Sequence, residues 1–146
     1  MAIAVDAMGG DSPLTFQVEA SVRAVNDFGI EVILVGAEAQ IKQELKQYSY
    51  DQQKLRIVNS TEIVEMNESP ASALRQKKDS SIRVAVDLVK AGEAEAVVSA
   101  GNTGASMATA KFILKSVEGI ERPAIATLMP SVHRNHPFVL LDVGAN

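Results

Sequence analysis

Glu93-Ala-Glu-Ala-Val-Val-Ser-Ala-Gly-Asn-Thr-Gly-Ala-Ser-Met-Ala-Thr-Ala-Lys-Phe-Ile-Leu114 reads as a buried strand, a glycine-rich turn and the opening of a helix. Residues 96–98 carry two β-branched valines, and from Ala105 onward small and apolar side chains recur at helical spacing through Met107, Ala108, Phe112 and Ile113. Between them lie Ser99, Gly101, Asn102, Thr103 and Gly104. Glycine lets the backbone turn tightly and approach a ligand. The first amides of the helix have no intrahelical acceptor and face outward with the positive end of the dipole. An anion is the natural guest. The alternative is a plain strand-to-helix connection in which Asn102 or Thr103 caps the helix and nothing binds. The turn has no lysine after its second glycine, so it is not a Walker loop, and Gly101-Asn-Thr-Gly104 is not the dinucleotide fingerprint.

Upstream, residues 2–5 read as a short buried strand that runs into Asp6-Ala-Met-Gly-Gly-Asp-Ser-Pro13, a turn with two glycines and two carboxylates. Ser12 as N-cap and Pro13 in the first turn predict a helix to about Asn26, with Phe16, Ala20, Val22, Ala24 and Val25 inward and Gly29 ending it. Residues 31–35 are an almost continuous apolar strand of the kind buried on both faces of a parallel sheet. A polar helix over 38–47 with Ile41 and Leu45 inward, and a strand over 55–58, follow. Residues 59–69 mix Ile63, Val64 and Met66 with acids and have no clear period. A short helix over 70–77 precedes a longer one capped by Ser80-Ser81, carrying Val84, Ala85, Leu88 and Val89 and stopped by Gly92. Beyond the opening stretch, strands are predicted over 124–129 and 138–141.

The alternation predicts an α/β fold of three layers, αβα, with a mostly parallel sheet covered on both faces and right-handed crossovers. The last two strands are joined by too few residues for a helix, which predicts a hairpin and a partly antiparallel sheet.

At 146 residues, 47% hydrophobic and 22% charged, the chain fits one globular domain able to bury a core. Its net charge of −4, with cations dispersed except at Lys77-Lys78, argues against nucleic acid, which needs a concentrated basic face. Without cysteine there is neither a disulfide nor a thiolate nucleophile. No run approaches the ~20 apolar residues of a membrane span, and the N-terminus has no basic n-region. A cytoplasmic chain is therefore expected. Phe138-Val-Leu-Leu-Asp-Val-Gly-Ala-Asn146 is a strand running into a glycine turn, an unusual place for a domain to finish. The expectation is that residues 1–146 are the N-terminal α/β part of a larger catalytic domain, cut after Asn146.

Three strands end in similar turns, at residues 6–11, 99–104 and 142–146, each combining glycine with Asp, Asn, Ser or Thr. If the strands are parallel, these turns share the carboxyl edge of the sheet, where ligands of open α/β sheets bind. Each could equally be ordinary turn chemistry. Asp6, Asp11 and Asp142 could be drawn into a metal site, but no dedicated ligand cluster accompanies them, so no metal is assigned. His133 and His136 read as exposed loop residues. Arg75, Lys77 and Lys78 face either an anion or solvent, and Arg122 is equally open. Ser99 lacks a Gly-x-Ser-x-Gly elbow and reads as a binding hydroxyl rather than a nucleophile.

Asp6-Ala-Met-Gly-Gly-Asp-Ser-Pro13, Ala73-Leu-Arg-Gln-Lys-Lys-Asp-Ser-Ser81, Val98-Ser-Ala-Gly-Asn-Thr-Gly-Ala105, Arg122-Pro-Ala-Ile-Ala126 and Leu140-Leu-Asp-Val-Gly-Ala-Asn146 together resemble the bacterial PlsX family of phosphate acyltransferases, in the family's order along the whole chain. The resemblance implies transfer of a fatty acyl group from acyl carrier protein to inorganic phosphate. The acyl phosphate product would feed a membrane glycerol-3-phosphate acyltransferase in phospholipid synthesis. It further implies a homodimer, cytoplasmic or peripheral at the membrane, with a fold similar to isocitrate and isopropylmalate dehydrogenases and to phosphotransacetylase, without nicotinamide chemistry or any other cofactor. Phosphate would itself be the nucleophile, so the protein's part is to hold and orient it against a thioester.

Carried over residue by residue, the resemblance implies catalytic roles for Asn102, Thr103 and Asp6. It implies phosphate or substrate contacts at Ser99, Gly101, Gly104, Gly9, Gly10, Asp11, Asp142 and Asn146. Arg75, Lys77 and Lys78 would compensate the charge of phosphate or of the acidic carrier. The alternatives are a phosphotransacetylase-like enzyme using acyl coenzyme A and a non-catalytic anion-binding fragment.

Overall fold

A computed structural model of the chain describes residues 2–121, 123–132 and 136–141. The chain divides into two compact units, Met1–Lys115 and Ser116–Asn146.

The first unit holds strands β1 (Ala2–Asp6), β2 (Glu31–Gly36), β3 (Leu55–Asn59) and β4 (Ala96–Ser99), all parallel, in the order β3-β2-β1-β4. Between and after them run helices α1 (Leu14–Phe28), α2 (Glu38–Leu45), α3 (Pro70–Gln76), α4 (Ser81–Lys90) and α5 (Thr103–Leu114). The chain therefore steps outward from β1 to β3 and then returns to the other side of β1. This reversal makes the β1–β4 junction the topological switch point of the sheet.

β2 shows why the sheet is covered twice. Val32 and Leu34 point into a core shared with Val18, Val22 and Val25 of α1 and with Ile41 and Leu45 of α2. Ile33 and Val35 point the other way, onto Ala85 and Leu88 of α4 and Ala94. A strand with both faces buried reads as an unbroken apolar run, as the sequence does here. A third cluster, Val64, Ala73, Ile82, Val86, Ala105 and Ile113, joins α3, α4 and α5. The layers are thus α1 and α2, the sheet, and α4 with α3 and α5 packed on it.

Some local expectations change. The buried stripe of α1 is Val18, Ser21, Val22 and Val25, at i, i+3, i+4 and i+7. Phe16 is 60% exposed and Ala20 is exposed as well. Both lie on the adjoining strip, which looks past β1 toward Val98 and lines an open groove of about 390 Å³. Pro13, not Ser12, occupies the N-cap of α1, with no side-chain cap. Gly29 ends the helix in the left-handed region at φ 67°, with its N–H on Val25 O and the N–H of Ile30 on Ala24 O. Ser80 sits at the N-cap of α4 but donates its hydroxyl back to Lys77 O rather than capping forward.

In the second unit, β5 (Ala126–Met129) and β6 (Phe138–Leu141) pair antiparallel, with Ala126 opposite Leu141 and Met129 opposite Phe138. The hairpin expected from the short connection is present, but it forms a two-stranded sheet of its own and leaves the four-stranded sheet wholly parallel; its first strand begins two residues later than the apolar run.

Candidate anion site at the switch point

Asp6 ends β1 and Ser99 ends β4, and the parallel register sets them side by side. Asp6 is 2% exposed. Ser99 Oγ donates to Asp6 Oδ2 at 2.7 Å, and the same oxygen accepts the Gly101 N–H at 3.0 Å. Asp6 Oδ1 takes the Met8 N–H at 3.3 Å. One buried carboxylate thus ties the two glycine turns through a serine. Its oxygens are engaged within the protein, and the serine hydroxyl is used both as donor and as acceptor.

The glycines make this contact possible. A Cβ on Gly9 would lie 2.3 Å from Asp6 Oδ2 and 3.1 Å from Gly101 Cα. Gly10 has φ +92°, and a Cβ there would meet Ala100 O at 2.5 Å. The two turns are packed backbone to backbone, which no side chain on either glycine permits. Gln17 of α1 adds a tie, donating from Nε2 to Gly9 O at 3.2 Å.

α5 starts at this junction. Asn102 is its N-cap, with Oδ1 accepting the Ala105 N–H at 3.0 Å. The amides of Thr103 and Gly104, in the first turn, have no intrahelical acceptor. Thr103 lines a crevice of about 270 Å³ together with Ser99 and Ser106 and with the apolar Ile82, Val86 and Val97. A helix N-terminus with hydroxyls next to it suits an anion, and the apolar wall suits a hydrocarbon group attached to one.

The segment over 59–69, which had no clear period, wraps this corner. Thr61 donates its N–H to Asp79 Oδ2 at 2.8 Å, and Asp79 donates its N–H to Glu62 Oε2 at 2.8 Å. Farther along, Lys77 Nζ bonds Ile63 O and pairs with Glu68 Oε2 at 2.6 Å. The hydrogen bond from Lys77, followed by the one from the Glu65 backbone, holds the Glu68 carboxyl below the ordinary glutamate value. Asn102 Nδ2 reaches the same loop.

Of the residues singled out from sequence, Asp6, Gly9, Gly10, Ser99, Gly101, Asn102, Thr103 and Gly104 converge on this junction. Gly104 has a second role: a Cβ there would lie 2.9 Å from Pro70 Cγ, so the glycine sets how closely α3 approaches α5. Asp11 is exposed. Lys77 is engaged with Glu68, whereas Arg75 and Lys78 are exposed. His136 is exposed, and His133, Arg122, Asp142 and Asn146 lie outside the described residues. Among the described residues there is no cluster of three His, Cys, Asp or Glu side chains able to hold a metal. The contributions of Gln17 and Glu68 had no sequence signal, because each acts through a contact with a distant segment.

A family model described as "Fatty acid synthesis protein" matches residues 1–146. A phosphate acyltransferase of Geobacter sulfurreducens is 49% identical over 146 residues, covering 100% of this chain and 42% of that protein. A phosphate acyltransferase of Desulfitobacterium hafniense is 52% identical over 146 residues, 100% of this chain and 43% of its own length. The chain thus spans less than half the length of these relatives. Among solved structures, a phosphotransacetylase from Streptococcus pyogenes superposes with a TM-score of 0.68 at 22% identity, over 95% of this chain and 45% of that one. At that identity the likeness speaks to the fold, and it places the chain in the same α/β class.

Proposed function

The chain belongs to the fatty acid synthesis protein family, and from that membership we propose that it supplies the phosphate-holding corner of an acyltransferase. The reaction moves a fatty acyl group from acyl carrier protein to inorganic phosphate and yields acyl phosphate for phospholipid synthesis. Residues 1–146 are then the N-terminal part of a larger catalytic domain. The observation that carries the reading is the switch-point corner itself, where Asp6 and Ser99 lock two glycine turns and leave the N-terminus of α5 open beside a hydroxyl-lined crevice.

In this reading phosphate lies against the Thr103 and Gly104 amides and the Thr103 hydroxyl. One phosphate oxygen attacks the thioester carbonyl. The new carbon–oxygen bond forms as the carbon–sulfur bond breaks, and the carrier leaves as its thiolate. The amides at the helix start hold the anion in place and hold its charge away from water, so the contribution is orientation and electrostatics. The apolar wall of Ile82, Val86 and Val97 takes the first part of the acyl chain. Asp6 acts as the tie that shapes the corner, since its oxygens are already bonded within the protein. Arg75 on α3 and Lys78 just after it, both exposed, meet an acidic carrier. The enzyme works as a homodimer in the cytoplasm or at the membrane surface, upstream of a membrane glycerol-3-phosphate acyltransferase.

The test is acyl-phosphate formation from long-chain acyl carrier protein and phosphate, run on the chain and on a version extended to its relatives' length. Turnover by the extended form with the carrier substrate is expected. Activity with acyl coenzyme A alone would move the assignment to a phosphotransacetylase-like enzyme, and inertness with both would leave an anion-binding module.

A further inference from the structure

We propose that Asn102 is a positioning residue, a clasp that fastens the 63–68 loop to the anion turn, rather than a group that touches substrate. The proposal rests on the anion site described above. Its side-chain amide is fully used. Oδ1 caps α5, while Nδ2 lies 3.3 Å from Glu65 O, 3.0 Å from Met66 O and 3.0 Å from Glu68 O. Two N–H groups serve three convergent carbonyls. The Asn102 carbonyl in turn accepts from Ser106 N at 2.9 Å and Ser106 Oγ at 3.0 Å.

The loop needs that grip. It belongs to no strand or helix, and its own short-range bonds are a turn from Glu68 N to Glu65 O at 3.1 Å and one from Glu65 N to Glu68 Oε2 at 2.9 Å. Val64 packs into the cluster of α3, α4 and α5, and the hydrogen bonds that reach the loop from other segments come from two side chains, Asn102 of the anion turn and Lys77 just after α3. Carbonyls turned inward toward a donor are satisfied only while that donor is present. Because one side chain both caps α5 and holds the loop, the place of the loop and the aim of the helix amides are set together. Ordering one orders the other.

Two substitutions separate the roles. Asn102→Ser keeps an oxygen for the Ala105 N–H but removes the amide NH2 that reaches the three carbonyls. Asn102→Asp keeps the cap and turns a carboxylate against the three carbonyls. The readouts on the 146-residue chain are hydrogen exchange over residues 63–69 and titration with inorganic phosphate. For both variants exchange in the loop is expected to quicken about tenfold, while residues 107–113 of α5 keep their protection, and phosphate affinity to fall about fivefold to tenfold. Unchanged loop exchange in Asn102→Ser overturns the clasp. A loosened loop with unchanged phosphate affinity overturns the positioning role. A wild-type chain that takes no phosphate sinks the anion-site reading instead, and the exchange comparison still decides whether the clasp exists.

Discussion

Ser99 donates its hydroxyl to the buried carboxylate of Asp6 at 2.7 Å, across a sequence separation of 93 residues. The bond joins the ends of the two strands that flank the switch point, and the serine also receives the Gly101 amide. Replacing Ser99 by alanine leaves a 2%-exposed carboxylate short of a donor and an amide short of an acceptor. Ser99→Ala is therefore expected to destabilise the chain by about 2–3 kcal/mol, and Asp6→Asn, which retains an acceptor, by about 1 kcal/mol. Urea unfolding measures both. Equal midpoints for wild type and Ser99→Ala would show that the bond contributes nothing.

Gly9→Ala tests the backbone contact between the turns. Its Cβ would fall 2.3 Å from Asp6 Oδ2, so either Asp6 or the whole turn has to move. A loss of about 1–3 kcal/mol is expected, together with weaker phosphate binding because the corner is distorted. Retained stability with retained phosphate affinity would mean the turns are not in contact.

Gly104→Ala strikes α3 rather than the site. The added methyl would meet Pro70 Cγ at 2.9 Å, and a proline ring has little freedom to give way. Stability should fall by about 1–2 kcal/mol, with phosphate affinity changed less than about threefold because the amides of the first turn remain. A calorimetric titration beside the unfolding curve separates the two effects.

The Lys77–Glu68 pair makes a pH prediction. The folded state lowers the Glu68 pKa, chiefly through its hydrogen bond from Lys77. A lowered carboxyl pKa adds stability that is present above the unfolded value and disappears as pH falls through the folded one. Wild type should therefore unfold at higher urea than Glu68→Gln at neutral pH, and the two midpoints should converge in acid, below the ordinary glutamate range. A gap that widens on acidification would contradict the assignment.

Lys115 follows α5 with φ 70° and ψ 175°, a region that glycine alone occupies readily. Its ammonium also lies 5.1 Å from the centre of the Phe112 ring. Lys115→Gly and Lys115→Ala both delete that contact and differ only at Cβ. The glycine variant is expected to be the more stable by about 1–2 kcal/mol. Thermal unfolding of the two decides it, and an alanine variant as stable as the glycine one would remove the strain.

Much of the fold was legible because it follows local rules. The unbroken apolar run of β2 announced a strand covered twice, and the chemistry after each strand announced its turn. Gly29 marked the end of α1, and Ile41 and Leu45 marked the inner face of α2. The reading went astray where two adjoining helix strips are equally apolar. On α1, periodicity cannot distinguish Val18 and Val22, which meet the sheet, from Phe16 and Ala20, which line the open groove beside β1 and β4. Residues 60–69 have no readable period because their backbone bonds go singly to scattered partners, the Gly36 and Asp79 carbonyls and the Asn102 and Lys77 side chains among them, rather than into a ladder or a helix.

What the sequence determined by itself was the strand–turn–helix alternation, the glycine turns after β1 and β4, and a cap for α5 at Asn102 or Thr103, all of which depend on residues within a few positions of one another. Only the tertiary structure decided that β4 lies beside β1, that Asp6 closes on Ser99, and that Asn102 holds the 63–68 loop. Those contacts join residues tens of positions apart. Their partners are chosen by the register of the sheet and by burial, and neither leaves a mark on the spacing of residues along the chain.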